Sequence, residues 1–260
     1  SPMEKKNIAV VTGASGGLGR EFVRLLAKDP EIDEVWAIAR NEEKLYHLKK
    51  KIGKKVKTYS ADLSNRKELQ VFAAEFEREQ VSIHWLINNA GFAKFCTYDD
   101  ISIDESINMI DLNVSAVVAF GLIALPFMER GSHIVNIASQ ASFQPLPYLN
   151  IYAATKAFVR NYTRALHLEL KERGITATAV CPGWMQTGLM DRGHVETAKA
   201  ISVFPFLSAP AKVAAKALRD AKKGKDISVY GFYVKCCHVV AKLLPQRCMM
   251  QAWLKQQKLM

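Results

Sequence analysis

Six short runs rich in β-branched and aliphatic residues recur along this chain, at residues 8–12, 35–39, 56–61, 83–88, 133–138 and 176–181. Each is nearly continuous in apolar residues rather than alternating, which is what strands covered on both faces require. Between them, residues 19–28, 42–52, 66–79, 104–129 and 152–173 carry apolar positions at helical spacing. Strands that alternate with helices in this way build a parallel sheet with helices on both sides, because each strand must cross back over the sheet through a helix. A last strand is expected at 227–230.

No repeat, low-complexity stretch or Gly/Ser linker breaks the order, so one domain is expected over residues 3–260. Within it, 3–190 would form the core, 191–226 a lid region, and 227–260 the final strand and a tail. At 260 residues, 49% of them hydrophobic and 23% charged, the chain can bury a sizeable core. That composition excludes disorder, a collagen-like repeat and a disulfide scaffold. Ser1-Pro2 ahead of Met3 reads as a cloning remnant, and no secretory succession follows it. The apolar run at 114–128 is 15 residues, short of a bilayer span of roughly 20, and is expected as a buried helix. The five cysteines form no C-x-x-C pair, so reduced thiols in a cytoplasmic protein are expected and no metal site is.

Directly after the first strand stands Thr12-Gly13-Ala14-Ser15-Gly16-Gly17-Leu18-Gly19, with a helix behind it. In an open parallel sheet a pyrophosphate sits at this turn. Glycines let the backbone approach, and the helix N-terminus offers unpaired N–H groups and partial positive charge. Gly13, Ser15, Gly17, Leu18 and Gly19 are therefore candidate cofactor contacts, and the fold class expected is a Rossmann-type, doubly wound α/β sheet. The spacing is G-x-x-x-G-x-G, which differs from the general G-x-G-x-x-G dinucleotide fingerprint. Where an NAD-binding chain would place an acid for the ribose 2′-hydroxyl, this one has Arg40. A guanidinium there can pair with a 2′-phosphate, so NADP(H) is favoured over NAD(H). The bland reading of Arg40 is a solvated residue opening the next helix.

Tyr152 and Lys156 are four apart at the start of a long helical stretch and so share a face. A phenol is a poor acid or base at neutral pH unless its anion is stabilised, and a neighbouring ammonium does that. Lowering the pKa by ~3 units takes about 4 kcal/mol. Such pairs are common on surface helices, but position singles this one out. Ser139 ends the preceding strand, Asn88-Asn89-Ala90-Gly91 follows the fourth, and Asn113 lies between them. All approach the C-terminal edge of the sheet, where ligands bind in such folds.

In these features the chain resembles the short-chain dehydrogenase/reductase family. The family's patterns appear in order as residues 12–19, Asp62-Leu63, residues 88–91, Asn113, Ser139, Tyr152-x-x-x-Lys156 and Pro182-Gly183 followed by Thr187. They span about residues 7–190. The resemblance implies hydride transfer between a nicotinamide cofactor and a carbonyl. It makes Tyr152 the general acid/base, with Lys156 lowering its pKa and holding the nicotinamide ribose. Ser139 would bond the substrate oxygen, and Asn113 a proton-relaying water. It also implies that Asp62 and Leu63 border the adenine, Asn89, Ala90 and Gly91 the adenosine ribose, and Pro182, Gly183 and Thr187 the nicotinamide.

The loops beyond the sheet edge are rich in large apolar residues, and Phe95, Gln140, Leu149, Trp184 and Met190 are candidate substrate contacts. They suit a bulky hydrophobic substrate. The overall look resembles bacterial hydroxysteroid dehydrogenases and, more distantly, long-chain ketoacyl reductases. Residues 219–260 hold nine basic and two acidic residues, +7 of the net +11, a field that favours an anionic amphiphile. The basic, apolar tail has three readings: a cover over the substrate cleft, an oligomer contact, or a membrane-surface anchor. A dimer or tetramer is expected. Specific nucleic-acid binding is not, since the cations are mixed with large apolar residues. A non-catalytic cofactor-binding scaffold would be expected to lack Tyr152 or Lys156.

Overall fold

The computed structural model describes residues 3–185 and 201–260. Seven parallel strands, β1 (Lys6–Thr12), β2 (Glu34–Ala39), β3 (Val56–Ser60), β4 (Val81–Asn88), β5 (His133–Ile137), β6 (Thr176–Val180) and β7 (Ile227–Ser228), stand in the order β3-β2-β1-β4-β5-β6-β7. The order reverses between β1 and β4, and at such a switch point the chain leaves a crevice at the strands' C-terminal ends. The seventh strand is two residues long rather than the four expected, because the chain turns into a helix at Gly231, whose φ is +95°.

Alternate residues of each strand feed opposite core layers. Ile8 and Val10 pack with Trp36, Ile38, Leu86 and Ile134 on one face, and Ala9 and Val11 with Val35, Ala37, Ile87 and Val135 on the other. Helices α1 (Gly17–Ala27), α2 (Glu42–Ile52) and α7 (Pro210–Lys222) cover the second face. The first is covered by α3 (Arg66–Arg78), α4 (Ile103–Ile110), α5 (Ala116–Ala124) and α6 (Asn150–Glu169). This is the doubly wound arrangement implied by continuous apolar strands.

The segment expected as one helix over 104–129 is instead α4 and α5 joined by a π-helical turn, Asp111–Ser115, and closed by a 3-10 turn, Leu125–Phe127. At 25 residues, Ile103–Phe127 is long and apolar enough to cross a bilayer by length and composition, longer than the 15-residue run suggested. Its inner side is built into the core through Met109, Ala116, Phe120 and Ala124. The tail forms two helices, α8 (Phe232–Leu243) and α9 (Gln246–Gln256), separated by Pro245.

Candidate active site

Three helices that open near the crevice carry their own caps. Asn41 accepts from the Lys44 N–H at the start of α2, Asn65 from Lys67 and Glu68 at α3, and Ser102 from Glu105 at α4. Each puts an acid in its first turn. By contrast, α1 has Gly16 at its N-cap, no side-chain acceptor and no acid in its first turn. Its N–H groups and partial positive charge are left for an anion.

The turn ahead of α1 is held by close backbone packing. Gly13 takes φ +59°, and a Cβ there would lie 2.9 Å from Ala90 N. A Cβ on Gly19 would lie 2.0 Å from Gly13 O, so no side chain fits. Thr12 Oγ1 accepts from Asn89 N (2.9 Å) and Ala90 N (3.0 Å), and Asn89 Nδ2 donates to Gly13 O at 3.2 Å. The ends of β1 and β4 are thereby tied together at the switch point.

Beside this turn lies a cavity of about 470 Å³. One end is lined by Gly13, Ser15, Gly17 and Leu18, with Arg40, Asp62 and Leu63 beside them; the other by Ser139, Tyr152, Lys156, Gly183 and Trp184. Ser139, Tyr152 and Lys156 are 5–7% exposed. Ser139 Oγ accepts from Ala141 N at 3.0 Å, which fixes the hydroxyl and leaves its proton to donate. Lys156 Nζ donates to Ile137 O at 2.8 Å, leaving two of its three donors over. It lies 5.6 Å from the centre of the Tyr152 ring. Burial pushes the Tyr152 phenol up to about 12, against a lowering contribution from Ser139, and pushes the Lys156 ammonium down to about 8.

A family model described as short chain dehydrogenase matches residues 7–196. This chain belongs to the short-chain dehydrogenase family. An uncharacterized oxidoreductase of Staphylococcus aureus is 31% identical to it over 185 residues, 70% of this chain and 79% of the relative. A short-chain dehydrogenase from Sphingobium yanoikuyae, solved in complex with NADPH, superposes with TM-score 0.77 at 25% identity over 94% of each chain. One from Burkholderia phymatum, solved in complex with NAD, has the same fold, with TM-score 0.81 at 22% identity over 95% of each chain.

In this short-chain dehydrogenase the expected cofactor contacts Gly13, Ser15, Gly17, Leu18, Arg40, Asp62, Leu63, Asn89, Ala90, Gly91, Pro182 and Gly183 line the one cavity. Gly19 does not line it and serves instead the close packing of α1 on the turn. Asp62 bonds the Ser64 N–H and hydroxyl ahead of α3. Thr187 and Met190 lie outside the described residues.

Asn113 is fully buried in the π-helical turn and does not line the cavity. Its Oδ1 accepts from Phe92 N at 3.0 Å, and its Nδ2 donates to Phe92 O (2.9 Å) and Thr155 Oγ1 (3.1 Å). Thr155 in turn donates to Tyr152 O at 2.7 Å. The side chain therefore ties the loop after β4 to α6, and its direct bonds are to protein groups.

Of the substrate candidates, Phe95 and Trp184 line the cavity and meet edge to face, their ring centres 6.3 Å apart. Leu149 is 1% exposed, belongs to the core at the start of α6 and is not among the residues that line the cavity. Its apolar side chain is drawn inward by the same burial that fixes Leu146. Neither is Gln140 among those lining residues. Its Oε1 is buried without a partner, 3.3 Å from where a Gly183 Cβ would stand, and is turned under α8.

Lys44 was missed by the sequence reading. It lines the cavity with Arg40 and Asn41, and neither cation forms an ion pair with a described residue. Its signal was present in the sequence, since it follows Arg40 by four residues at a helix start.

Proposed function

We propose that this protein is an NADP(H)-dependent oxidoreductase that interconverts a secondary alcohol and a ketone on a bulky hydrophobic substrate. The observation that carries this reading is one cavity holding Ser139, Tyr152 and Lys156 at one end and an uncapped helix start with two unpaired cations at the other. The residues fit a dinucleotide. The glycine turn has no room for a Cβ at Gly19, the α1 N–H groups suit the pyrophosphate, and Arg40 with Lys44 suits a 2′-phosphate.

When bound, NADPH supplies the hydride. In the reducing direction the neutral Tyr152 donates its phenolic proton to the carbonyl oxygen as negative charge develops there, and the free proton of Ser139 bonds the same oxygen. Burial leaves Tyr152 protonated but a weak acid, so this reading needs Lys156 to stabilise the phenolate as the proton leaves. The two remaining donors of Lys156 would hold a ribose of the cofactor, and its charge would stabilise the phenolate left after transfer.

A hydroxysteroid is the substrate class this reading favours. Phe95, Trp184 and Phe204 form a mutually packed aromatic group by the cavity, with centres 5.1–6.3 Å apart, a surface for a large flat apolar body. The test is nicotinamide absorbance with NADP+ and a panel of hydroxysteroids and bile acids, beside NADPH with ketoacyl thioesters. Oxidation at one hydroxyl position, reduced by 10²-fold or more in Tyr152→Phe with the fold retained, is expected. Turnover of ketoacyl thioesters alone would replace the steroid assignment. An unimpaired Tyr152→Phe would overturn the role of the tyrosine.

A further inference from the structure

Helix α8 packs on the body through Val234, with Cys237 and Ala241 beside it. On its other side Phe232, Cys236, Val239, Val240 and Leu243 follow at helical spacing. Phe232 is 84% exposed, Leu243 76% and Val239 53%. Phe206, itself 72% exposed, extends this ridge through its ring contact with Tyr233, centres 4.7 Å apart. Among the described residues nothing covers it. A monomer rarely leaves so many large apolar side chains together in water unless they have a partner.

The charges around the ridge identify that partner. Lys235 and Lys242 lie on the same exposed side and Arg247 just beyond it, and none forms an ion pair with a described residue. Residues 227–260 contain five Lys and Arg and no acid at all. A two-fold contact with a second copy would set this patch against itself and bring cation against cation. An apolar stripe flanked only by cations is what a bilayer with anionic headgroups accepts. We propose that α8 docks the protein on an anionic lipid surface, its apolar side chains entering the headgroup boundary and its lysines pairing with the headgroups.

The helix that carries this face is packed on the body beside the site. Helix α9 is fastened by Trp253, which is buried, donates to Pro147 O at 2.9 Å and stacks on Trp184. Val234 of α8 presses on Gly183, where an added Cβ would meet it at 2.7 Å, and Gly183 lines the cavity. The helix whose outer side carries the ridge thus presses its inner side against the end of the cavity that holds Ser139 and Tyr152. An apolar substrate dissolved in the bilayer would meet the protein there.

The test is sedimentation of the full chain with vesicles of equal parts phosphatidylglycerol and phosphatidylcholine, against phosphatidylcholine alone. Binding only to the anionic vesicles, weakened by salt, is expected. Lys235→Gln with Lys242→Gln should weaken it roughly thirtyfold, and Leu243→Asp should abolish it with an unchanged melting temperature. The chain is basic throughout, so Lys50→Gln with Lys51→Gln, on α2, serves as control and should retain binding. Phe232→Trp should gain fluorescence that brominated acyl chains quench. Absence of anionic-vesicle binding at low salt, equal losses in the α2 control, or no quenching would overturn the proposal. So would self-association that Leu243→Asp dissolves without any vesicle binding, which would assign the ridge to a second copy.

Discussion

Lys156 carries a charge that its buried position disfavours. It is 5% exposed, has no carboxylate beside it among the described residues, and burial brings its pKa from the ordinary 10.5 down to about 8. A lysine with a lowered folded pKa binds fewer protons in the folded than in the unfolded state between those two values. Stability therefore rises with pH across that window and is lowest below pH 8. At pH 7 the ammonium costs on the order of 3 kcal/mol, partly offset by its bond to Ile137 O. Lys156→Met is expected to abolish turnover and raise stability by about 2 kcal/mol at pH 7. Urea denaturation from pH 7 to 10.5 should show the rise in the parent and not in the variant. A variant less stable than the parent at pH 7 would mean that the charge is not strained.

At the scale of elements, the proposed preference for NADP(H) rests on the junction of β2 and α2. Arg40 stands where the strand ends, and the Asn41 cap, accepting from Lys44 N at 3.0 Å, sets the first turn so that both cations border the cavity. A charge-assisted bond to a phosphate is worth roughly 1.5–3 kcal/mol. Arg40→Asp is expected to weaken NADP+ binding about ten- to a hundredfold and leave NAD+ binding unchanged or tighter, as titration calorimetry would measure. Equal effects on the two cofactors would remove Arg40 from 2′-phosphate recognition. The Asn113 link through Phe92 and Thr155 acts at the same scale, holding the β4 loop on the helix that carries Tyr152.

Across the whole molecule, the tail joins parts far apart in sequence. Trp253 reaches Pro147 and Trp184, and buried Gln257 accepts from Ser202 N and Val203 N, both at 3.0 Å. Helix α9 thus packs behind Trp184, which lines the cavity, while the glycine-turn side is built from β1, α1 and β2. Trp253→Ala should cost about 3 kcal/mol and raise the substrate KM several-fold while cofactor affinity stays the same. A change in cofactor affinity as large as that in KM would show that the two halves are not separable. Each tail helix buries one side chain on the body, Val234 of α8 and Trp253 of α9, so a packed inner side is compatible with an exposed outer one.

The sequence by itself determined the layering and the catalytic register. Continuous apolar strands require cover on both faces, the glycines of the first turn admit only close backbone approach, and a four-residue spacing puts Tyr152 and Lys156 on one side of a helix. These are local constraints, legible without knowing what packs where. Tertiary structure alone decided that Leu149 turns into the core, that Gln140 is held under α8, and that the long helix widens into a π turn at Asn113. It also decided which side of each tail helix is buried. Amphipathic spacing says that a helix has two sides, but the side that is buried depends on contacts with residues a hundred positions away, as between Trp253 and Pro147.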